Sequence, residues 1–297
     1  MKKQTLYTIL GVVIMTLTAC LREFDTVTTP TQPDTGMDDI SIFATGTTQA
    51  LIATPTATAV PATQVSGIPV SFEYVSFVIP DGLANGADIE LVAGLGEEYE
   101  PWERYPTHPK FQLTGYLTTY GKYAHPEVIV YPAEEYAGIN PNGAEQIDRL
   151  KKILAGTILT KETLPMVPFS GSSALITANI QIIPFQNGRG VRTLMQYGSY
   201  AGQINNEDLF YHFQGLTDDG KYHVIVNLPI TAPILPATHD VSLPVPEGGV
   251  PFDNSLGFNS PYYVSVTEKL NALSPDDYTP TLNTLDALVQ SILVTTP

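Results

Sequence analysis

Four glutamates surround the only tryptophan of this chain, and they are the strongest candidates for acid–base chemistry. The group comprises Glu97, Glu98, Glu100 and Glu103, with Tyr99 and Trp102 between them. Paired carboxylates can serve as the acid and the base of glycoside hydrolysis. A Glu-rich loop is also typical of solvated surface. One functional hypothesis is therefore a hydrolase in which Glu98 and Glu100 act as acid and base.

The other motifs that support catalysis are incomplete. Ser199 lies one position too early in its Gly-rich pentapeptide for the nucleophile elbow G-x-S-x-G. The five histidines form no H-E-x-x-H pair. His212 and His223 are expected on one sheet face but not opposite each other, which favours an exposed polar face over a metal site. The sequence predicts no catalytic residue, no metal site and no cofactor.

A candidate binding patch is centred on an uncharged loop that is rich in amides. It comprises Arg192 and Tyr197 on the preceding strand, with Gln203, Asn205 and Asn206 in the loop. Amide side chains also satisfy the backbone of turns. The alternative is therefore a purely structural role for these side chains.

The N-terminus has the features of an export signal. Lys2 and Lys3 precede an apolar stretch at residues 9–17, which is too short to span a bilayer comfortably. The stretch ends in Leu17-Thr18-Ala19-Cys20, and Cys20 is the only cysteine. This sequence resembles the lipobox of bacterial lipoproteins. The resemblance implies that residues 1–19 are removed as a signal peptide and that Cys20 is lipidated, which anchors the chain to the outer face of a bacterial membrane. The alternative is an ordinary signal peptide with a chance cysteine, or an uncleaved anchor.

The composition changes sharply after Cys20. Residues 26–66 contain 12 Thr and 4 Pro but no Lys or Arg, a low-complexity composition that favours extended, solvated backbone. We therefore expect a lipidated N-terminus and disordered tether at 20–66 and a single globular domain at 67–297. The net charge of −16 argues against a nucleic-acid partner.

Hairpins and three helices are predicted within the domain. Asn187-Gly188 and Asp219-Gly220 mark two-residue turns, and the second turn would pair Asp218 with Lys221. Asn140 can cap a central helix that begins at Pro141. Two C-terminal helices are expected to begin after Ser260 and Thr279. The predicted class is α+β, an antiparallel sheet with a four-stranded meander on which the three helices pack. An all-β sandwich with terminal helices is the alternative.

A resemblance covers roughly residues 68–240. Segments that carry it include Phe185-Gln186-Asn187-Gly188, Leu209-Phe210-Tyr211 and Phe213-Gln214-Gly215-Leu216-Thr217. These segments resemble an uncharacterised family of exported bacterial lipoproteins, which implies an envelope domain and assigns no catalytic residue. The favoured function is a non-catalytic domain that binds an envelope protein or a carbohydrate. The alternative is a carboxylate-dependent hydrolase of an envelope polymer, and no oligomeric state is predicted.

Overall fold

The domain is an α+β structure, as the sequence predicts, but its strands form two antiparallel sheets rather than one. The computed structural model describes residues 65–118, 121, 125–166, 172–253, 257–258 and 260–295. Within them lie ten strands and four α-helices. The predicted signal peptide, Cys20 and all of the tether up to residue 64 lie outside the described residues.

Among the described residues, five strands are followed by two α-helices, four strands, two further α-helices and a short final strand. In chain order the elements are β1 (Gly67–Phe72), β2 (Val75–Pro80), β3 (Gly86–Val92), β4 (His108–Thr114), β5 (Glu127–Pro132), α1 (Ala133–Ile139), α2 (Pro141–Leu154), β6 (Ser173–Phe185), β7 (Gly188–Gly198), β8 (Phe210–Thr217), β9 (Tyr222–Pro229), α3 (Pro261–Ala272), α4 (Leu282–Ser291) and β10 (Leu293–Val294). The small sheet has the order β1-β2-β10, and the large sheet has the order β3-β4-β5-β9-β8-β7-β6.

Turn chemistry accounts for the register of the central strands. The pairs His212–Asn227 and Leu216–His223 confirm the register that the Asp219-Gly220 turn predicts. The predicted position of the first turn is wrong by one residue. Phe185 pairs with Gly188, so the two turn residues are Gln186 and Asn187. Asn187 contributes beyond the turn, because its Nδ2 donates to the carbonyl of Val294 near the C-terminus.

Helix caps fix the start of three helices. Asn140 Oδ1 accepts from the N–H of Gly143 at 2.9 Å and caps α2, and Ser260 caps α3, both as the sequence predicts. Thr281, two residues later than expected, caps α4. Helix α1 is not predicted from the sequence, because this seven-residue helix follows β5 directly at Pro132 and has no polar cap of its own.

The large sheet is covered on both faces, which creates two cores. The face under α1 and α2, the α1–α2 face, carries Val191, Leu216 and Ile225. The opposite face packs on α3, α4 and the small sheet and is called the α3–α4 face. All eight residues of β8 and of β9 are consequently buried. Polar side chains on these strands must find their partners inside the protein.

Candidate functional site

The amides of the predicted binding patch hold the 198–206 loop in place. Asn205 is fully buried, and its Oδ1 accepts from the N–H groups of Glu207 and Asp208 at 3.0 and 3.1 Å. Asn206 Oδ1 accepts from the N–H of Ala232 at 2.8 Å. Gln203 is buried as well, and its carbonyl accepts from Gln196. These contacts are those of the structural alternative, with the amides used to satisfy turn backbone.

Arg192 and Tyr197 do not lie in one site. They are five positions apart on β7, whose pairing with β8 is regular from Gly188 to Met195, so their side chains point to opposite faces of the sheet. Arg192 belongs to the α3–α4 face and Tyr197 to the α1–α2 face. Of the five residues in the patch, only Tyr197 lines a described cleft.

That cleft, the Tyr197 cleft, opens where β6 begins and β7 ends. Its volume is about 550 Å³, within the usual range of small-molecule sites. The lining residues are Lys161, Glu162, Met166, Ser172, Ser173, Ala174, Leu175, Tyr197, Phe258 and Tyr263. They come from three segments that are distant in sequence, so no local spacing could have predicted the cleft.

Helix α3 contributes Tyr263 to the lining of the cleft, and the 198–206 loop holds this part of α3 in place. The hydroxyl of Tyr263 donates to the carbonyl of Gly202 at 3.1 Å. The hydroxyl of the neighbouring Tyr262 accepts from the N–H of Ile204 at 2.9 Å. The buried amides of the loop therefore act on the cleft indirectly, because they hold the backbone to which both tyrosines bind.

Another part of the lining lies on a turn that is tied to α2. Arg149 Nη1 donates to the carbonyls of Glu162 and Leu164 at 2.8 and 3.1 Å. Gln146 Oε1 accepts from the N–H of Met166 at 2.5 Å. Arg149 and Gln146 of α2 therefore hold the backbone of the turn on which Lys161 and Glu162 lie.

The lining residues do not form a recognisable catalytic group. Glu162 is the only carboxylate among them, and they include no histidine. Ser172 Oγ lies 3.2 Å from Ser199 Oγ, a hydroxyl pair without a general base among the lining residues. The described lining residues therefore include neither a nucleophile with its general base nor a pair of carboxylates.

The glutamate cluster lies in an exposed loop away from this cleft. Glu98 and Glu100 are both exposed. The loop is anchored through its backbone, since Arg104 donates to the carbonyls of Glu97 and Tyr99. Asn140 Nδ2 donates to the carbonyl of Trp102 at 3.2 Å. These contacts involve the backbone of the loop and bring no two of its carboxylates together.

His212 and His223 form part of a buried polar chain on the α1–α2 face, so the expectation of an exposed polar face is wrong. Each is 1 % exposed. His223 Nε2 lies 2.9 Å from Gln214 Oε1, and Gln214 Nε2 lies 2.9 Å from His212 Nε2. His212 Nδ1 lies 2.7 Å from Asn227 Oδ1. The sequence missed the burial because hairpin register does not reveal what covers a sheet face.

The hydrogen bonds of this buried polar chain all run from donor to acceptor in the same direction, from His223 towards Glu127. Asn227 Nδ2 donates to Glu127 Oε1 at 3.3 Å, so its Oδ1 accepts from His212 Nδ1–H. His212 Nε2 then accepts from Gln214, whose carbonyl oxygen accepts from His223 Nε2–H. Both imidazoles are neutral in this arrangement. Burial lowers the pKa of His212 to about 4 and that of His223 to about 3.

The α3–α4 face carries an ion pair where the α1–α2 face carries neutral side chains. Arg192 Nη1 lies 3.5 Å from Asp286 Oδ2, and the hydroxyl of Tyr211 donates to Asp286 Oδ1 at 2.9 Å. Arg192 Nη2 also donates to Gln181 Oε1. Burial raises the pKa of Asp286, and the neighbouring Arg192 and Tyr211 offset part of that rise.

One group of described residues has the composition of a cation site. Ligand atoms of Glu207, Asp208 and His239 lie within 4.8 Å of one another. His239 Nδ1 is 3.7 Å from Glu207 Oε2, and the side chain of His239 is 72 % exposed. The buried amide of Asn205 donates to Asp208 Oδ2 at 3.1 Å. That amide already has its partner within the protein, so the exposed cluster carries no assignment.

Comparison with known proteins finds no matching family model, no matching curated protein and no matching solved structure. The helices in the described part of the chain all lack the combination of length and hydropathy needed to cross a membrane.

Proposed function

We propose that this chain is an exported, lipid-anchored protein of the bacterial cell envelope whose domain binds a ligand or partner without transforming it. Cys20 would be the point of lipid attachment, and residues 20–66 would hold the domain away from the membrane. The proposal includes the finer arrangement that the sequence predicts, a four-stranded meander with one central and two C-terminal helices. This arrangement would be the scaffold of the binding domain.

The Tyr197 cleft is the observation that carries the binding function. Its floor consists of the buried lining residues, which are aliphatic or aromatic: Ala174, Leu175, Tyr197 and Tyr263. Its rim consists of the exposed lining residues, which include one charge of each sign: Lys161, Glu162, Ser173 and Phe258. An apolar lining with a few polar groups is usual for a small-molecule site. Side chains of α2 and α3 hold the backbone around the cleft, and groups that are already held in place lose little conformational entropy on binding.

Hydrolysis is the less favoured function. A glycosidase needs two carboxyl groups on either side of the scissile bond, and Glu162 is the single carboxylate that lines the cleft. Glu98 and Glu100 remain the candidates for this alternative. If the Glu98→Gln, Glu100→Gln variant of an active preparation lost hydrolysis of an envelope polymer, the alternative would replace our proposal.

The anchor is tested by detergent phase partitioning of the full chain expressed in a bacterial host. We expect the natural sequence in the detergent phase, with acyl chains on Cys20 in the mass of its N-terminal peptide. Cys20→Ala should remove both signals, because two or more acyl chains are needed for stable anchoring. Natural protein in the aqueous phase would contradict the anchor.

Ligand binding is tested by a variant that fills the cleft from its rim. Ser173 is exposed and lines the cleft, so Ser173→Trp should block it with little effect on the core. Ser242→Trp, at an exposed loop position, is the matched control. In a thermal-shift screen of residues 21–297, a ligand at 100 times its dissociation constant adds about 2.7 kcal/mol to stability. We expect Ser173→Trp to abolish the shift and Ser242→Trp to retain it.

A further inference from the structure

The floor of the Tyr197 cleft has few free hydrogen-bonding groups. The hydroxyl of Tyr263 is bound to Gly202, and that of Tyr197 lies 3.6 Å from Met166 Sδ. Ala174 and Leu175 contribute only apolar side chains. A ligand that placed hydroxyls or charges on this floor would lose hydration without full compensation. The floor therefore selects an apolar group.

The rim has the opposite character. Lys161 and Glu162 are exposed neighbours at the tip of the turn. The turn is fixed by Thr163, whose Oγ1 accepts from the N–H of Thr160 at 2.8 Å, and by Arg149, which donates to the carbonyl of Glu162. The rim thus offers one cation and one anion side by side. Their charges sum to zero within a chain whose net charge is −16.

An apolar floor beneath adjacent opposite charges matches a zwitterion with an apolar side chain. The ammonium group would bind Glu162, the carboxylate would bind Lys161, and the side chain would enter the floor. We infer that the Tyr197 cleft binds a hydrophobic amino acid or the equivalent short peptide. This inference rests on the proposed function and specifies its ligand class.

Isothermal titration calorimetry of residues 21–297 tests the inference with three related compounds. The compounds are phenylalanine, phenylalaninamide without the carboxylate, and N-acetylphenylalanine without the ammonium group. Each truncated compound lacks one of the two charges that the rim would pair, and ion pairs of exposed side chains are weak. We therefore expect each truncated compound to bind several-fold more weakly than phenylalanine.

Charge variants assign each end of the ligand to one residue. Lys161→Met should weaken the binding of phenylalanine several-fold and leave that of phenylalaninamide unchanged, because that compound has no carboxylate to pair with the lysine. Glu162→Gln should act likewise on phenylalanine and spare N-acetylphenylalanine. Lys221→Met, which removes an exposed lysine outside the cleft, is the control and should bind all three compounds as the natural chain does.

The outcomes separate the ligand class from the function. If both truncated compounds bind as tightly as phenylalanine and Ser173→Trp blocks them, the cleft binds ligands but the zwitterion inference is wrong. The same conclusion follows if only a neutral oligosaccharide or a fatty acid binds in a manner that Ser173→Trp blocks. If no compound of any class binds, the inference and the proposed binding function both fail.

Discussion

The two faces of the large sheet solve the same problem, the burial of polar side chains, in different ways. The α1–α2 face carries a chain of neutral groups, with His223, Gln214, His212 and Asn227 joined in one direction. The α3–α4 face carries an ion pair, Arg192 with Asp286. The first solution depends on every donor meeting an acceptor, and the second depends on two charges staying together.

The difference predicts opposite responses to acid. A histidine whose pKa is lowered by folding contributes stability that is present above its unfolded pKa and lost as the pH falls. Asp286 has a raised pKa, so its contribution has the opposite sign and is lost as the pH rises. The neutral face should therefore fail first on acidification, while the charged face should gain.

The largest expected effect is the loss of stability below pH 6.5. Folded His212 and His223 resist protonation until about pH 4 and pH 3, whereas unfolded histidine titrates near 6.5. Each should therefore reduce the folding equilibrium constant about tenfold per pH unit between about pH 6 and pH 4. Urea unfolding at pH 7, 6 and 5 measures this slope.

A double variant isolates the histidines from the other groups that titrate. His212→Gln with His223→Gln keeps side chains that can donate and accept, and it should flatten the slope relative to the natural chain. Tyr136 of α1 faces His223, and Phe210 lies beside His212. The Lys110–Glu127 ion pair lies at the end of the hydrogen-bonded series of side chains. An unchanged slope in the double variant would show that carboxylates rather than this face control acid stability.

The second prediction breaks the charged face. Arg192→Met removes one partner of the ion pair and leaves the carboxylate of Asp286 without its cation. Such changes at buried pairs cost roughly 3–5 kcal/mol, and the lower value applies because the side chain of Asp286 is 18 % exposed. The free energy of unfolding in urea measures the loss.

Removal of the second charge should restore part of that stability. In the variant Arg192→Met, Asp286→Leu, no carboxylate remains unpaired, and apolar replacements of buried pairs are often tolerated. Tyr211 then lacks an acceptor, so recovery should be incomplete. If the double variant were less stable than Arg192→Met alone, the ion pair would not be the source of the cost.

The sequence predicts these elements better than it predicts what they bury. The Asp219-Gly220 turn was sufficient to place His212 opposite Asn227, because a two-residue turn fixes the register of its hairpin. It gave no information about α1, which has no polar cap and covers His223. Burial depends on that covering layer, so the same register was compatible with an exposed face.

The candidate site was predictable only at one residue. Tyr197 lines the cleft, but Lys161 and Tyr263 lie 36 and 66 positions away in sequence and reach it through separate elements. The amide-rich loop was predicted to bind a ligand because it is uncharged up to Asn206 and rich in Asn and Gln. In the structure, the side chains of Asn205 and Asn206 accept hydrogen bonds from backbone N–H groups. They therefore position the loop that holds α3 beside the cleft.

The smallest expected effect tests whether the neutral face needs a charge at all. Glu127 ends the polar chain, accepts from Asn227 and pairs with Lys110 at 2.8 Å. Glu127→Gln keeps an oxygen that can accept from Asn227 and removes only a partly exposed ion pair, for which about 1 kcal/mol or less is expected. Glu127→Leu removes the acceptor and should cost about 1–3 kcal/mol, because Asn227 Nδ2 is left unpaired. If the two variants lost equal stability in urea, the carboxylate charge and not the acceptor would hold the chain, and the contrast between the two faces would fail.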